Sequence, residues 1–243
     1  LEDIRDGDFD GIIMAYSCFE HITLSRAELK EQLEEMERTM INILNFNASQ
    51  ATRRLKSQLD KTRKEISAIA EGLEEDIMPC FDELGIDRLF VDEAHNFKNI
   101  PLDTKIEGAL GINAKGSKRC QNMLDKVRTI QRANGGAGVV MATGTPIANS
   151  ITDAFAMQTY LQPGELALLD LSSFEAWVGI FAEKVTSFEV DVDTSSYRMA
   201  TRFSRFHNLP ELTSLLSSIA DFHELDARGD IPQLQGREDV LVK

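Results

Sequence analysis

The chain has 243 residues, 42% of them hydrophobic, and a formal net charge of −14. That is enough apolar material to bury a core, and too much acid for indiscriminate binding to nucleic acid. No stretch approaches the roughly 20 apolar residues of a membrane helix, and the acidic start LEDIRDGDFD lacks the basic-then-apolar order of a signal peptide. A cytoplasmic protein is expected.

In chain order, the sequence begins at Leu1 rather than Met and enters a strand pattern at once, so the first half of a domain is expected upstream. Residues 11–16 (GIIMAY) form a short apolar run after the turn-like DGDFD and read as a buried strand. From 25 to 77, Leu29, Leu33, Met36, Met40 and Ile43, then Leu55, Leu59, Thr62, Ile66, Ile69 and Leu73 step by three and four among charged residues. With a bend at residues 45–50, this predicts an antiparallel helical hairpin reaching roughly 35 Å. Its basic stretch Arg53, Arg54, Lys56, Lys61, Arg63 and Lys64 suits a nucleic-acid backbone or a protein partner, or simply a solvated face.

Residues 88–91 (RLFV) and 138–142 (GVVMA) are two further strand candidates, the first ending in Asp92 and the second in Thr143-Gly144-Thr145-Pro146. Three buried strands separated by helical stretches predict an α/β domain with a parallel sheet, in which ligands bind at the carboxyl ends of the strands. Beyond Pro146 helices are expected over 149–161, 172–184 and 209–221, with a polar stretch between the last two and an extended connector over 226–243. Cys18, Cys80 and Cys120 lie far apart without metal-ligand spacing and read as reduced structural thiols.

Charge is uneven. Residues 1–93 carry 11 basic and 22 acidic side chains, residues 94–150 carry 8 and 3, and residues 151–243 carry 7 and 15. The one basic island therefore separates Asp92-Glu93 from Thr143-Pro146.

The stretch Leu89-Phe90-Val91-Asp92-Glu93-Ala94-His95 carries the most chemistry. Hydrolysis of ATP needs one carboxylate to hold Mg2+ or its waters and a second group to orient the attacking water. Adjacent Asp92 and Glu93 after a strand supply both, because the pleat sends the two side chains in different directions. Val91-Asp92-Glu93-Ala94-His95-Asn96-Phe97-Lys98-Asn99 resembles the Walker B (DEAH) motif of superfamily two helicases, and its Lys98-Asn99 resembles the Swi/Snf-type branch. In that branch a basic Ser-Lys segment and a strand ending in Thr-Gly-Thr-Pro follow. Here Gly116-Ser117-Lys118-Arg119 and Ala142-Thr143-Gly144-Thr145-Pro146-Ile147-Ala148-Asn149 stand in that order.

The resemblance implies part of a RecA-like motor lobe and a parent that is a DNA-dependent ATPase. Residues 1–24 and 78–243 would form the C-terminal part of that lobe with its following helical region, and 25–77 an inserted hairpin. It implies Asp92 as the Mg2+ ligand, through water, and Glu93 as the group that orients the attacking water. His95 would bridge to Thr143 and Thr145, as a group that donates and accepts at once can. Double-stranded DNA would be the parent's partner, with Tyr16, Ser17, Lys98, Ser117, Lys118 and Arg119 as candidate contacts; Met14 and Ala15 replace the family's usual threonines beside Tyr16.

A phosphate loop of the form G-x-x-x-x-G-K-[ST] is absent from the sequence. The nearest string, residues 111–118, inverts the final pair and follows Asp92-Glu93 instead of preceding it. Tight binding of ATP and Mg2+ is therefore expected of the parent and not of this chain alone. Two other readings remain open at this point: a non-catalytic interaction module built on the hairpin, and a magnesium-dependent phosphohydrolase unrelated to motors.

Overall fold

A computed structural model of the chain describes residues 1–46, 53–71, 78–102, 104, 106, 109–110, 112–147, 151–190 and 197–223. Its elements are α1 (Glu2–Asp6), α2 (Tyr16–Phe19), α3 (Arg26–Phe46), α4 (Arg53–Glu71), β1 (Leu89–Val91), β2 (Ala109–Leu110), α5 (Lys118–Ala133), β3 (Val139–Met141), α6 (Ile151–Leu161), α7 (Pro163–Leu168), α8 (Phe174–Phe181), β4 (Ala182–Val190), β5 (Tyr197–Phe206) and α9 (Leu209–Ser217). The chain divides into two compact units between His207 and Asn208.

In the first unit β1 and β3 pair in parallel, with Leu89 opposite Val139, Phe90 opposite Val140 and Val91 opposite Met141. Parallel neighbours need a long crossover, and α5 is its helix. Ser117 caps that helix, its hydroxyl accepting from the Cys120 N–H at 3.1 Å. Cys120, Met123, Leu124, Val127 and Ile130 then bury one face at helical spacing. Asn134 ends the helix, and its side-chain amide donates to the carbonyls of Ile130 and Asp87 at 2.8 and 3.0 Å. Gly138 re-enters the sheet at φ +99°, where a Cβ would lie 2.9 Å from Ile130 and 3.2 Å from the Asp87 carbonyl. Glycine is required there by both conformation and space.

The sheet expected from the sequence loses one strand. Residues 11–15 form no ladder with β1 or β3, and Ile13 is fully exposed. A short apolar run signals burial but not whether a neighbour with free ladder groups stands beside it. The chain instead turns into α2, where the Ala15 carbonyl accepts from the N–H groups of Cys18 and Phe19, each at 3.0 Å.

Helices α3 and α4 pack along each other, with Arg63 paired to Glu37 at 2.7 Å and Leu59 and Thr62 buried. Ser25 starts α3: its hydroxyl accepts from the Glu28 N–H at 3.1 Å and donates to Asp82 at 2.6 Å. Asn45 and Phe46, expected in the bend, are still helical; residues 47–52, where the rest of the expected bend falls, and residues 72–77 lie outside the described residues. The start of α3 is fixed to α5 by a polar cluster. Gln32 donates to Glu28, to the Asp125 carbonyl and to Thr129 at 3.0, 3.0 and 2.9 Å, Thr129 donates to Glu28 at 2.7 Å, and Arg132 pairs with the buried Glu28.

Lys126 lies inside the fold, fully buried. Its ammonium donates to the Phe19 carbonyl at 2.5 Å and to Asn122 at 2.7 Å, and sits 4.0 Å from the Phe19 ring centroid. Burial pushes its pKa down to about 8, against the opposing pull of Glu20 and Asp125.

A second core joins α6 and α8. Phe155 meets Phe174 and Trp177 edge-on at 5.4 and 5.7 Å, and Trp177 meets Phe181 at 5.3 Å. The buried Trp177 indole N–H is satisfied by Gln158 at 2.7 Å, whose amide in turn donates to Gln162 at 3.0 Å.

The expected helix over 172–184 is shorter than the sequence reading, ending at Phe181, and the polar stretch that follows is a β-ribbon. β4 and β5 pair antiparallel from Ala182 opposite Phe206 to Val190 opposite Tyr197, with a bulge at Glu183/Lys184, and β2 adds in parallel to β5. Apolar and polar residues do not alternate over 182–190, so no two-residue period marks β4, and its β-branched and aromatic Val185, Thr186, Phe188 and Val190 are the only local strand signal. The helix expected over 149–161 is described from Ile151, and residues 148–150 lie outside the described residues.

In the second unit α9 is shorter than expected, ending at Ser217; Asn208 precedes it at φ +47° and Pro210 occupies its first turn. The connector expected over 226–243 lies outside the described residues. Among the described residues no helix is long and apolar enough to cross a membrane. Cys18 is exposed, Cys80 and Cys120 are buried, and all three are free thiols.

Candidate functional site

The carboxyl ends of β1 and β3 are laced together. The Ala142 N–H donates to the Val91 carbonyl at 2.8 Å and the Ala94 N–H to the Ala142 carbonyl at 2.9 Å, so the chains leaving both strands stay side by side. Between them lies a sharp turn. Glu93 adopts φ +46°, ψ +45°, a left-handed conformation that costs a non-glycine residue on the order of 1 kcal/mol or more. Several contacts hold it. Asp92 Oδ1 accepts from the Glu93 N–H at 2.8 Å, Asn96 Nδ2 donates to the Glu93 carbonyl at 3.0 Å, and the Tyr16 hydroxyl donates to the Asp92 carbonyl. A 3-10 turn over Ala94–Phe97 follows, with Ala94 and Phe97 buried beneath.

The turn presents three exposed groups. His95 Nδ1 lies 3.1 Å from Glu93 Oε2 and 3.3 Å from Thr143 Oγ1, and Thr143 Oγ1 accepts from the Thr145 N–H at 3.1 Å. Asp92, Glu93, His95, Thr143 and Thr145 are thus brought together, and the imidazole stands between a carboxylate of one strand end and a hydroxyl of the other. With Nδ1 protonated the ring donates to Glu93; without that proton it accepts from Thr143.

Asp92 uses one oxygen on the Glu93 N–H and leaves its remaining lone pairs open to solvent. Among the described residues no group of three or more His, Cys, Asp or Glu side chains converges as a metal cage. A single open carboxylate fits Mg2+, which keeps most of its waters and takes further oxygens from phosphates, better than it fits a cation needing an all-protein shell.

The six residues expected from the sequence to contact nucleic acid separate into two groups. Ser17 and Lys118 are exposed. The other four are engaged within the fold. Lys98 Nζ reaches Asp153 Oδ2 at 3.2 Å and the Thr145 carbonyl, with 10% of its side chain exposed. Ser117 caps α5. Arg119 pairs with Glu20 at 2.5 Å and lies over the rings of Phe97 and Tyr16 at 4.7 and 5.5 Å. Tyr16 packs edge-on against Phe97 at 5.1 Å; burial, and then the nearby Asp92 carboxylate, raise its pKa. Asn96 and Asp153 belong to the same assembly and were not singled out by spacing, because their roles depend on backbone direction and on a helix 55 residues beyond Lys98.

An exposed carboxylate pair at a parallel strand end, bridged by histidine to the neighbouring strand end, stands where α/β sheets bind their ligands. Residues 1–224 match the family model described as a probable helicase domain, and the chain belongs to that family. It is also similar to the "Defense against restriction protein B" of Escherichia phage P1, 29% identical over 89 residues. That alignment covers 36% of this chain and 4% of the phage protein, so the chain spans only a small share of that relative's length. No solved structure matches the chain.

Proposed function

We propose that this chain is part of the first RecA-like lobe of a Swi/Snf-type, DNA-dependent ATPase whose phosphate loop and second lobe belong to a longer protein. Asp92 would hold Mg2+ through water, and Glu93 would orient and deprotonate the attacking water. Bound Mg2+ supplies charge neutralisation at the phosphates. His95 relays the state of that site to Thr143 and Thr145. The observation that carries the reading is the His95 imidazole standing 3.1 Å from Glu93 and 3.3 Å from Thr143, because a surface Asp-Glu pair has no reason to be wired to a second strand end. Helices α3 and α4 are read as an antiparallel hairpin inserted into the lobe, a candidate seat for a protein partner. Double-stranded DNA is the substrate track in this reading.

A magnesium phosphohydrolase is disfavoured, since it needs more converging carboxylates than the described residues supply. The test is Glu93→Gln in the longer protein. ATP should still bind, measured with a fluorescent nucleotide, while DNA-stimulated turnover falls about a hundredfold or more. Unchanged turnover would remove Glu93 from the reaction. Loss of a partner with intact turnover on deleting residues 38–62, which lie beyond the Glu37–Arg63 pair and leave the Glu28 cluster in place, would identify the hairpin as a recruitment module attached to a working motor.

A further inference from the structure

We propose that Tyr16 is a positioning residue for the Asp92–Glu93 turn, spending its hydroxyl on the turn's backbone. Three observations converge on it. The Tyr16 hydroxyl donates to the Asp92 carbonyl, the residue immediately before the left-handed Glu93. Its ring lies edge-on to Phe97 at 5.1 Å, and Phe97 is the fully buried floor of the 3-10 turn that carries His95. The Arg119 guanidinium covers both rings at 5.5 and 4.7 Å and is held by Glu20, one residue beyond the end of α2. The phenol is therefore gripped by its faces and edges while its one donor points at the turn.

The physical consequence concerns the strained peptide. The Asp92 carbonyl lies just past the last residue of β1 at an exposed turn, so its donor comes from a side chain or from water. Asp92's own carboxylate answers the Glu93 N–H, and Asn96 answers the Glu93 carbonyl. Tyr16 answers the Asp92 carbonyl. With all three in place the Glu93 backbone is held where its carboxylate lies 3.1 Å from His95; without the phenol the peptide loses one of the contacts that hold its left-handed conformation.

The test is Tyr16→Phe in this chain, which keeps the ring, its contact with Phe97 and the cover of Arg119. By two-dimensional NMR the amide resonances of Glu93 and Asn96 and the ring resonances of His95 should move, while the Trp177 indole resonance in the α6–α8 core stays in place. Unmoved Glu93 and His95 resonances overturn the proposal. Should the variant fail to fold, 3-fluorotyrosine installed at position 16 makes the same hydroxyl more acidic at almost constant volume, and the Glu93 amide should again shift.

The kinetic arm rests on the ATPase reading. In the longer protein Tyr16→Phe should lower kcat about tenfold with KM for ATP within about twofold. Shifted resonances with an unchanged kcat overturn the positioning role. Shifted resonances in a longer protein whose unaltered form hydrolyses no ATP leave Tyr16 as the support of the turn and remove the ATPase reading instead.

Discussion

The turn after β1 and the helix α5 are neighbours in sequence and both carry many charged residues, yet they use charge in opposite ways. In the turn, Asp92, Glu93 and His95 stand exposed, and the protein spends backbone bonds and conformational strain to keep them so. In α5 and the segments beside it, charge is turned inward. Lys98 binds Asp153, Arg119 binds Glu20 beneath two aromatic rings, Lys126 is fully buried, and Arg132 holds Glu28. Four of the eight cations between the two strand ends are thus bound within the fold, and net charge along a sequence overstates the surface available to phosphates. The contrast predicts that charge removal costs chemistry in one region and stability in the other.

The largest effect should be the loss of turnover on Glu93→Gln, with a stability change below about 1 kcal/mol, since the side chain is exposed and the left-handed backbone is retained. A variant that unfolds the protein would place Glu93 among the structural charges and erase the distinction. The mirror image is Arg132→Leu. It leaves the buried Glu28 carboxylate with neutral donors from Gln32 and Thr129 but no contacting cation. Breaking such a pair should cost about 3 kcal/mol in chemical denaturation, while residues of the turn keep their chemical shifts.

Lys126 sharpens the comparison through pH. Its folded pKa of about 8 lies below the unfolded value near 10.5. Between these values the unfolded chain holds a proton that the folded chain has released, so stability should rise with pH and the penalty is fully present below pH 8. From pH 8 to 9.5, where tyrosines remain protonated, the gain from this group is at most about 2 kcal/mol. Urea titrations across that window should show the slope, and Lys126→Met should flatten it. A slope unaltered by the substitution would mean that the ammonium reaches water.

What was legible in the sequence follows the same division. The strands at 88–91 and 138–142 and the polar residues at their ends could be read because each needs only local information: an apolar run, then residues that have no place in a core. The heptad-like spacing of α3 and α4 is local too. The phenol of Tyr16 on the Asp92 carbonyl and the pairing of Lys98 with Asp153 are not legible, since they join residues 76 and 55 positions apart; the left-handed conformation of Glu93 is not legible either, since a glutamate does not announce it. Residues 11–16 misled because hydrophobicity reports burial without reporting a ladder partner. The ribbon of β4 and β5 is not legible because neither strand alternates apolar with polar residues, and what pairs them, such as Glu183 opposite Arg205 and Glu189 opposite Arg198, is known only from the register.

The smallest expected effect tests what remains of the basic island. Lys115 and Lys118 are exposed, unlike the four cations named above. Lys115 lies in the loop before α5 and Lys118 at its start, and the loop is tied to the chain after the turn by the Ser117 N–H on the Asn99 carbonyl at 2.9 Å and the Leu102 N–H on the Ala114 carbonyl at 3.0 Å. If DNA runs across the strand ends, each lysine contributes one phosphate contact at most. Replacing either by Ala should lower the salt slope of log K by about 0.9 for duplex DNA, equally for any sequence, and leave the melting temperature unchanged. Arg119→Ala should do the reverse, lowering stability by about 1 kcal/mol through the lost packing on Tyr16 and Phe97 with little change in salt slope. A reduced slope from Arg119→Ala with full stability would assign that guanidinium to DNA and show that its stacking on the two rings is given up when the duplex arrives.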